Sequence, residues 1–171
     1  VIKKMNTIEK DAVESIQMKA SYDQFLHQLI QRFDPIGGGF GVAPKFPPYA
    51  ALRLLLSMGD SQAIGMVETT LTAMANSGLY DHVDGGFHRY STDAEWHLPH
   101  FEKMLSDNAQ MIEIYSLMQA VSPSPLYERV VSETIQHLND QWQLDSGGYL
   151  TTIDADSDGE EGTYYVMRMD E

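Results

Sequence analysis

The sequence predicts a mainly α-helical protein that forms part of an α/α toroid, with short β-hairpins at one rim. Apolar residues recur at helical spacing over several long segments, and alternating segments near the C-terminal end indicate short strands. A Gly-Gly-aromatic unit also recurs, about 50 to 60 residues apart, which is typical of stacked helical hairpins. The three copies are Gly38-Gly39-Phe40, Gly85-Gly86-Phe87 and Gly147-Gly148-Tyr149.

The first predicted helix ends at Asp34-Pro35, because the apolar residues before it follow the i, i+3, i+4, i+7 rule and proline ends a helix. These apolar residues are Tyr22, Phe25, Leu26, Leu29, Ile30 and Phe33. A polar lead-in at residues 7–19 is an expected extension of this helix. Two further helices are predicted, one from Tyr49 to Met58 and one over residues 63–74, with a junction near Gly59-Asp60.

A fourth helix is predicted from His100 to Val121, because Pro99 suits a first-turn position and Ser122-Pro123 ends the pattern. One face of this helix is polar, as expected of an inner helix beside a cavity; it carries His100, Lys103, Asp107 and Gln110. The fifth helix is predicted from Leu126 to Trp142. Strands are predicted over residues 149–153 and 163–166.

The 171 residues fit one domain, here predicted as residues 1–171. A closed ring of hairpins needs about twelve helices, and five are predicted, so the chain is expected to supply the N-terminal half of a toroid. Half a ring exposes an apolar flank, which predicts self-association of the chain through that flank.

Composition excludes several function classes. Eleven basic against 25 acidic residues give a formal charge of −14, which repels nucleic acid and anionic lipid surfaces. Cysteine is absent, so this chain holds no disulfide, thiolate metal site or catalytic thiol. The apolar runs are too short to span a bilayer and the N-terminal stretch lacks a signal-peptide pattern, which predicts a cytoplasmic location.

The densest chemistry lies in residues 81–103, which contain four of the six histidines. Histidine titrates near neutrality and a carboxylate can set its tautomer, so His88 or His100 with Glu102 or Asp107 is suited to acid/base work. The alternative is that these side chains only hydrogen-bond loop backbone beside the glycine turn.

Neither a metal nor a cofactor is predicted. No histidine pair has helical zinc-ligand spacing, and the calcium-loop pattern that opens at Asp154 fails at Tyr165, where a Glu is required. The acidic run at residues 154–159 is either a turn that closes a hairpin or a source of cavity carboxylates, with Asp154 and Asp156 on one side. The stiff segment 43–48 is expected to wall the rim, with Phe46 packed and Lys45 free.

Three motifs, in order, resemble the thioredoxin-domain-containing proteins of the spermatogenesis-associated protein 20 type. They comprise residues 38–41 with 43–47, residues 85–90 with 99–105 and 107–110, and residues 154–157 with 161–162 and 164–166. The resemblance implies a thioredoxin-like domain followed by an α/α toroid similar to N-acylglucosamine 2-epimerases and six-hairpin glycosidases. This chain resembles the first half of that toroid, and the family's redox cysteines belong to the other domain.

The resemblance implies a carbohydrate-active toroid with a sugar-like ligand, of the epimerase or isomerase type. His88 and His100 are then the acid/base candidates, with Arg89 stabilising enolate charge and Glu102 as a further catalytic candidate. The predicted substrate-binding residues are Lys45, Phe46, Asp107, Asn108, Asp154 and Asp156. Two alternatives stay open: a non-catalytic scaffold that works with the thioredoxin-like domain, and a glycoside hydrolase that uses Glu102 with Asp156.

Overall fold

The computed structural model describes residues 22–166. The first of its two packing units ends at Phe33 and the second begins at Asp34, and each is described by itself. In the first unit, helix α1 covers residues 22–32, as its apolar spacing predicted, with Leu29 buried. The lead-in at residues 7–19 lies outside the described residues.

Within residues 34–166, the described part of the second unit, there are four α-helices, grouped as two hairpins. Helices α2 (Tyr49–Met58) and α3 (Ser61–Ala75) meet at Gly59, which ends α2 with φ of 71°, and at Asp60, whose carboxylate caps α3. Helices α4 (Leu105–Val121) and α5 (Pro125–His137) follow, and α5 starts with Ser124 as cap and Pro125 in its first turn. One π-helical turn, Leu138–Trp142, extends α5.

The helices share one core. Helix α4 lies at its centre, because it packs against α2, α3 and α5. Its side chains are almost fully buried, and burying each large apolar one stabilises the fold by about 1.5–3 kcal/mol. Tyr115 in α4 donates a hydrogen bond to the Leu71 carbonyl of α3 at 2.7 Å. The core includes Leu52, Leu55, Val67, Leu71, Met74, Met111, Ile114, Tyr115, Met118, Val130 and Trp142.

Short antiparallel strand pairs occupy the long connections at the rim. Strand β1 (Tyr90–Ser91) pairs with β2 (Pro99–His100), β3 (Lys103–Met104) with β4 (Thr152–Ile153), and β5 (Asp156–Ser157) with β6 (Glu160–Glu161). Asp158 and Gly159, with φ of 56° and 85°, form the turn between β5 and β6. The acidic run is therefore a hairpin turn.

The predicted start of one helix is wrong, and so are the two predicted strands. Of the strand predicted over residues 149–153, only Thr152–Ile153 forms. Helix α4 begins at Leu105 instead of His100, because the backbone of His100 pairs with Tyr90 and that of Lys103 pairs with Ile153. The polar helix face therefore loses His100 and Lys103. Residues 163–166 are not a strand, because the N–H groups of Tyr165 and Val166 both bond back to the Gly162 carbonyl in a turn.

The first two Gly-Gly-aromatic units form the same turn. Asp34 and Asp81 each accept two backbone N–H groups at Oδ1, and the backbone N–H of each donates to the second glycine carbonyl of its unit. The free oxygen Oδ2 of each aspartate then binds a buried lysine, Lys45 at 2.8 Å and Lys103 at 2.7 Å. We call this arrangement the Asp–Lys clasp.

The glycines of these turns are required by close contacts as well as by φ. A Cβ on Gly38, where φ is 67°, would lie 2.5 Å from the Thr70 Cα in α3. A Cβ on Gly86, where φ is 82°, would lie 2.8 Å from the His137 ring in α5. Each turn therefore packs directly against a helix.

Candidate functional site

A group of aromatic and charged side chains, which we call the rim cluster, converges where the first turns of α2 and α4 meet the strand pairs β1–β2 and β5–β6. It brings together four of the predicted site residues with two that the sequence did not single out. The rim cluster consists of Phe46, Arg89, Tyr90, His100, Glu102 and Glu161.

His100 lies at the centre of the rim cluster. Its Nδ1 is 2.7 Å from Glu161 Oε1, and its Nε2 is 3.7 Å from Glu102 Oε2. One ring face stacks on Tyr90, with the centroids 5.0 Å apart. Because Glu161 is an acceptor, Nδ1 donates to it, whereas Nε2 makes no hydrogen bond within the described residues. The His100 side chain is 26% exposed, so a ligand can reach it.

Glu161 was missed as a site residue, although residues 161–162 form part of the third motif. Its position depends on the β5–β6 turn and on Gly162, where a Cβ would lie 2.5 Å from the Phe101 ring. This close approach lets Glu161 Oε1 also accept the Phe101 N–H, at 3.3 Å. Only the fold brings the carboxylate to His100, from 61 residues away.

Arg89 and Glu102 form an ion pair at 2.8 Å on the open side of the rim cluster. Asp107, in the first turn of α4, lies within the field of both charges. Burial raises the pKa of the Asp107 carboxyl, and the Glu102 charge adds to this effect while Arg89 opposes it. Burial also raises the pKa of Tyr49, with the Asp107 charge as the second cause. Asp107 thus adds a partly buried carboxyl group to this side of the rim cluster.

An aromatic stack extends from His100 toward solvent. Phe46 stacks on Tyr90 with the centroids 4.6 Å apart and is 51% exposed. Exposed aromatic faces bind the apolar faces of sugars and other flat ligands. Phe46 was expected to be packed and Lys45 free; the structure shows the reverse, because Lys45 bonds to Asp34 and to the Ala94 carbonyl in the interior.

Asn108 is also placed in the interior. Its side chain accepts the Phe87 N–H and donates to the carbonyls of Phe87 and Met104. Asp154 and Asp156 are exposed on the β5–β6 side, and Asp154 Oδ1 accepts the Asp156 N–H. Asn108 and Lys45 are therefore structural groups. Asp156 adjoins the rim cluster through its backbone pairing with Glu161, whereas Asp154 has no described contact with the cluster.

His88 lies apart from His100, buried to 2% exposure between the rings of Phe101 and Tyr165. Its Nδ1 is 3.0 Å from the Phe101 carbonyl, and its ring lines a cavity of about 300 Å³. Burial, helped by the positive charge of Lys103, lowers the pKa of His88 to about 4. The predicted His88–His100 pair is not a contact pair in this fold.

This buried histidine makes stability depend on pH. Burial and Lys103 also lower the pKa of His137 to about 4. Between pH 6.5 and pH 4 the unfolded chain therefore binds more protons at both histidines than the folded chain does. The free energy of unfolding should decrease as pH falls through this window, with a slope that approaches one proton per histidine.

The measurement is urea unfolding at a series of pH values, for the protein and for His88→Asn. The Asn amide can still donate to the Phe101 carbonyl but does not titrate, so about one proton of the slope should disappear. An unchanged slope in this variant would show that His88 titrates alike in both states.

Within residues 22–166 no three His, Asp or Glu side chains are arranged to hold a metal ion. The helices of the same residues are all too short or too polar to cross a membrane.

No family model matches the chain. Spermatogenesis-associated protein 20 of Homo sapiens is 42% identical over 158 residues, a match that covers 84% of this chain and 20% of that protein. The protein of the same name from Mus musculus is 41% identical, with the same coverage. The chain spans about a fifth of the length of these curated relatives. The resemblance to this family is confirmed, and the thioredoxin-like domain that it implies stays a prediction.

Solved sugar epimerases share the fold. A sugar epimerase from a ruminal bacterium matches with a TM-score of 0.66 at 14% identity, over 80% of this chain and 40% of that one. The cellobiose 2-epimerase of Spirochaeta thermophila matches with a TM-score of 0.59 at 21% identity, over 81% and 39%. That of Bacillus thermoamylovorans gives 0.61 at 14% identity, over 85% and 44%. The predicted fold, a mainly helical, partial α/α toroid, is confirmed.

Proposed function

From the chain's homology to a segment of spermatogenesis-associated protein 20 and its sugar-epimerase fold, we propose that the rim cluster binds a sugar and transfers a proton beside its carbonyl group. The observation that carries the proposal is the setting of His100. One ring nitrogen is held by Glu161, the other is left for a ligand, and an aromatic stack leads outward to Phe46.

The proton transfer follows from this geometry. His100 Nε2 takes the proton from the carbon beside the carbonyl of an open-chain sugar, and the C–H electron pair forms the double bond of an enediolate. Glu161 stabilises the imidazolium through Nδ1–H. The Arg89 guanidinium has N–H groups beyond the one used by Glu102, and these donate to the enediolate oxygen.

The fate of the proton decides the product. An isomer forms when the enediolate hydroxyl proton moves to the former carbonyl oxygen and His100 delivers a proton to the former carbonyl carbon. An epimer forms when solvent water delivers a proton to the opposite face of the carbon from which His100 took one. Asp107, in the first turn of α4, orients the hydroxyl groups as a hydrogen-bond acceptor. Both outcomes exchange one carbon-bound hydrogen with solvent, whereas glycoside hydrolysis exchanges none.

Solvent exchange therefore tests the proposal. The protein is incubated in D₂O with glucose, N-acetylglucosamine and cellobiose, and each sugar is followed by proton NMR. We expect loss of the C2 proton signal with a sugar that is accepted, and the same loss with His97→Ala, a control histidine that is exposed and outside the rim cluster.

Each other result identifies one of the alternatives. Cleavage of cellobiose without exchange would contradict proton transfer and favour a glycosidase, with Glu102 and Glu161 as the carboxylates that flank His100. If no sugar gives exchange and no sugar gives a thermal shift, the proposal of a sugar site is contradicted. That result would favour a scaffold that works with a thioredoxin-like domain.

A further inference from the structure

Residues 34–166 contain five lysine and arginine side chains, and every one of them is in an ion pair. Two pairs are inside the fold and three are on its surface. The pairs are Lys45–Asp34, Lys103–Asp81, Arg53–Glu113, Arg89–Glu102 and Arg129–Glu133. This part of the chain therefore offers no unpaired cation to a ligand.

Arg89 alone among these five cations belongs to the rim cluster. The side chains of Lys45 and Lys103 have no exposed surface, and each has a carboxylate partner within 2.8 Å. The Arg89 side chain is 44% exposed, but Glu102 holds its guanidinium at 2.8 Å. Arg89 thus provides N–H donors without a net positive charge.

Carboxylates dominate the rest of the site. Glu161 faces His100, and Asp107 lies beside Glu102. The β5–β6 hairpin adds the exposed carboxylates of Asp156, Asp158 and Glu160. A phosphate or carboxylate group on a ligand would enter this negative field without a cation to compensate it.

We propose that the rim cluster selects sugars that carry no anionic group, and that Glu102 enforces this choice by neutralising Arg89. The inference rests on the proposed function, because it concerns the ligand of the same site. Such selection works by repulsion of the wrong ligand, since uncharged sugars keep all the hydrogen bonds that the site offers.

Binding of matched sugars tests the inference. Glucose is compared with glucose 6-phosphate, and cellobiose with cellobionate, by isothermal titration calorimetry at low and high salt. We expect the anionic member of each pair to bind at least about tenfold more weakly, a difference of about 1.4 kcal/mol. The difference should decrease at high salt, because salt screens exposed charges.

The variant Glu102→Gln releases Arg89 and should improve binding of the anionic sugars about tenfold relative to their neutral counterparts. Glu113→Gln is the matched control: it releases Arg53, on α2, by the same chemistry outside the rim cluster, and should leave the preference unchanged. Equal or tighter binding of the anionic sugars by the unaltered protein would overturn the inference and leave the sugar site standing. The absence of binding by any of the four sugars would overturn both.

Discussion

Replacement of Lys103 by Met is expected to lower the free energy of unfolding by about 3–5 kcal/mol. Lys103 Nζ is fully buried and bonds to Asp81 Oδ2 at 2.7 Å and to the Gly85 carbonyl at 2.9 Å. Burial alone would raise the pKa of the Asp81 carboxyl, but Lys103 holds it below its ordinary value. Without the lysine, a buried carboxylate loses its counter-charge, and urea unfolding measures the cost.

A surface pair provides the control for this prediction. Arg129 and Glu133 lie 3.1 Å apart on α5 with both side chains more than 40% exposed, so Arg129→Met should cost at most about 1 kcal/mol. The double variant Lys103→Met with Asp81→Asn should recover part of the loss, because the amide oxygen still accepts the turn N–H groups. A loss for Lys103→Met no larger than that for Arg129→Met would contradict the assigned role of the clasp.

Replacement of His100 by Gln is expected to lower kcat of the proton transfer by about 10²–10⁴-fold, because the group that carries the proton is removed. Glu161→Gln is expected to lower kcat by about 100-fold with little change in KM, because Glu161 acts on the substrate only through His100. The rate of deuterium incorporation at saturating sugar measures both effects.

Glu160→Gln is the matched control, since Glu160 is an exposed carboxylate on the same strand, β6. It should leave kcat within about twofold, because it removes the same charge from the same strand but does not contact His100. An equal loss for Glu160→Gln would attribute the effect to the charge of the hairpin, and an unchanged kcat for Glu161→Gln would remove Glu161 as a positioning residue.

The helices of the second unit were predictable where the pattern is local. Helix α2 has the predicted bounds, because its apolar residues lie within ten consecutive positions. The start of α4 was not predictable in this way, because Lys103 is held in β3 by Ile153, fifty residues later. Local propensity cannot reveal a strand partner at that distance.

The site residues were likewise predictable where they lie close together in sequence, and not where distant segments bring them together. Arg89, His100 and Glu102 were found because they lie within fourteen residues that pair across one hairpin. Glu161 was missed because only the folding of β5–β6 onto Phe101 brings it to His100. Lys45 was misjudged because its burial depends on Asp34, and sequence alone does not show whether such an aspartate forms a buried pair.

The two Asp–Lys clasps differ in the length of chain that they enclose. Lys45 follows Asp34 by 11 positions, whereas Lys103 follows Asp81 by 22. The longer interval contains Arg89, Tyr90, His100 and Glu102. An ion pair that fixes both ends of a loop allows the loop to lengthen or change sequence with little strain on the helices against which it packs. The clasp thus fixes the two ends of the loop that carries the site residues. Residues of that loop can be replaced or added in evolution while the helices keep their packing.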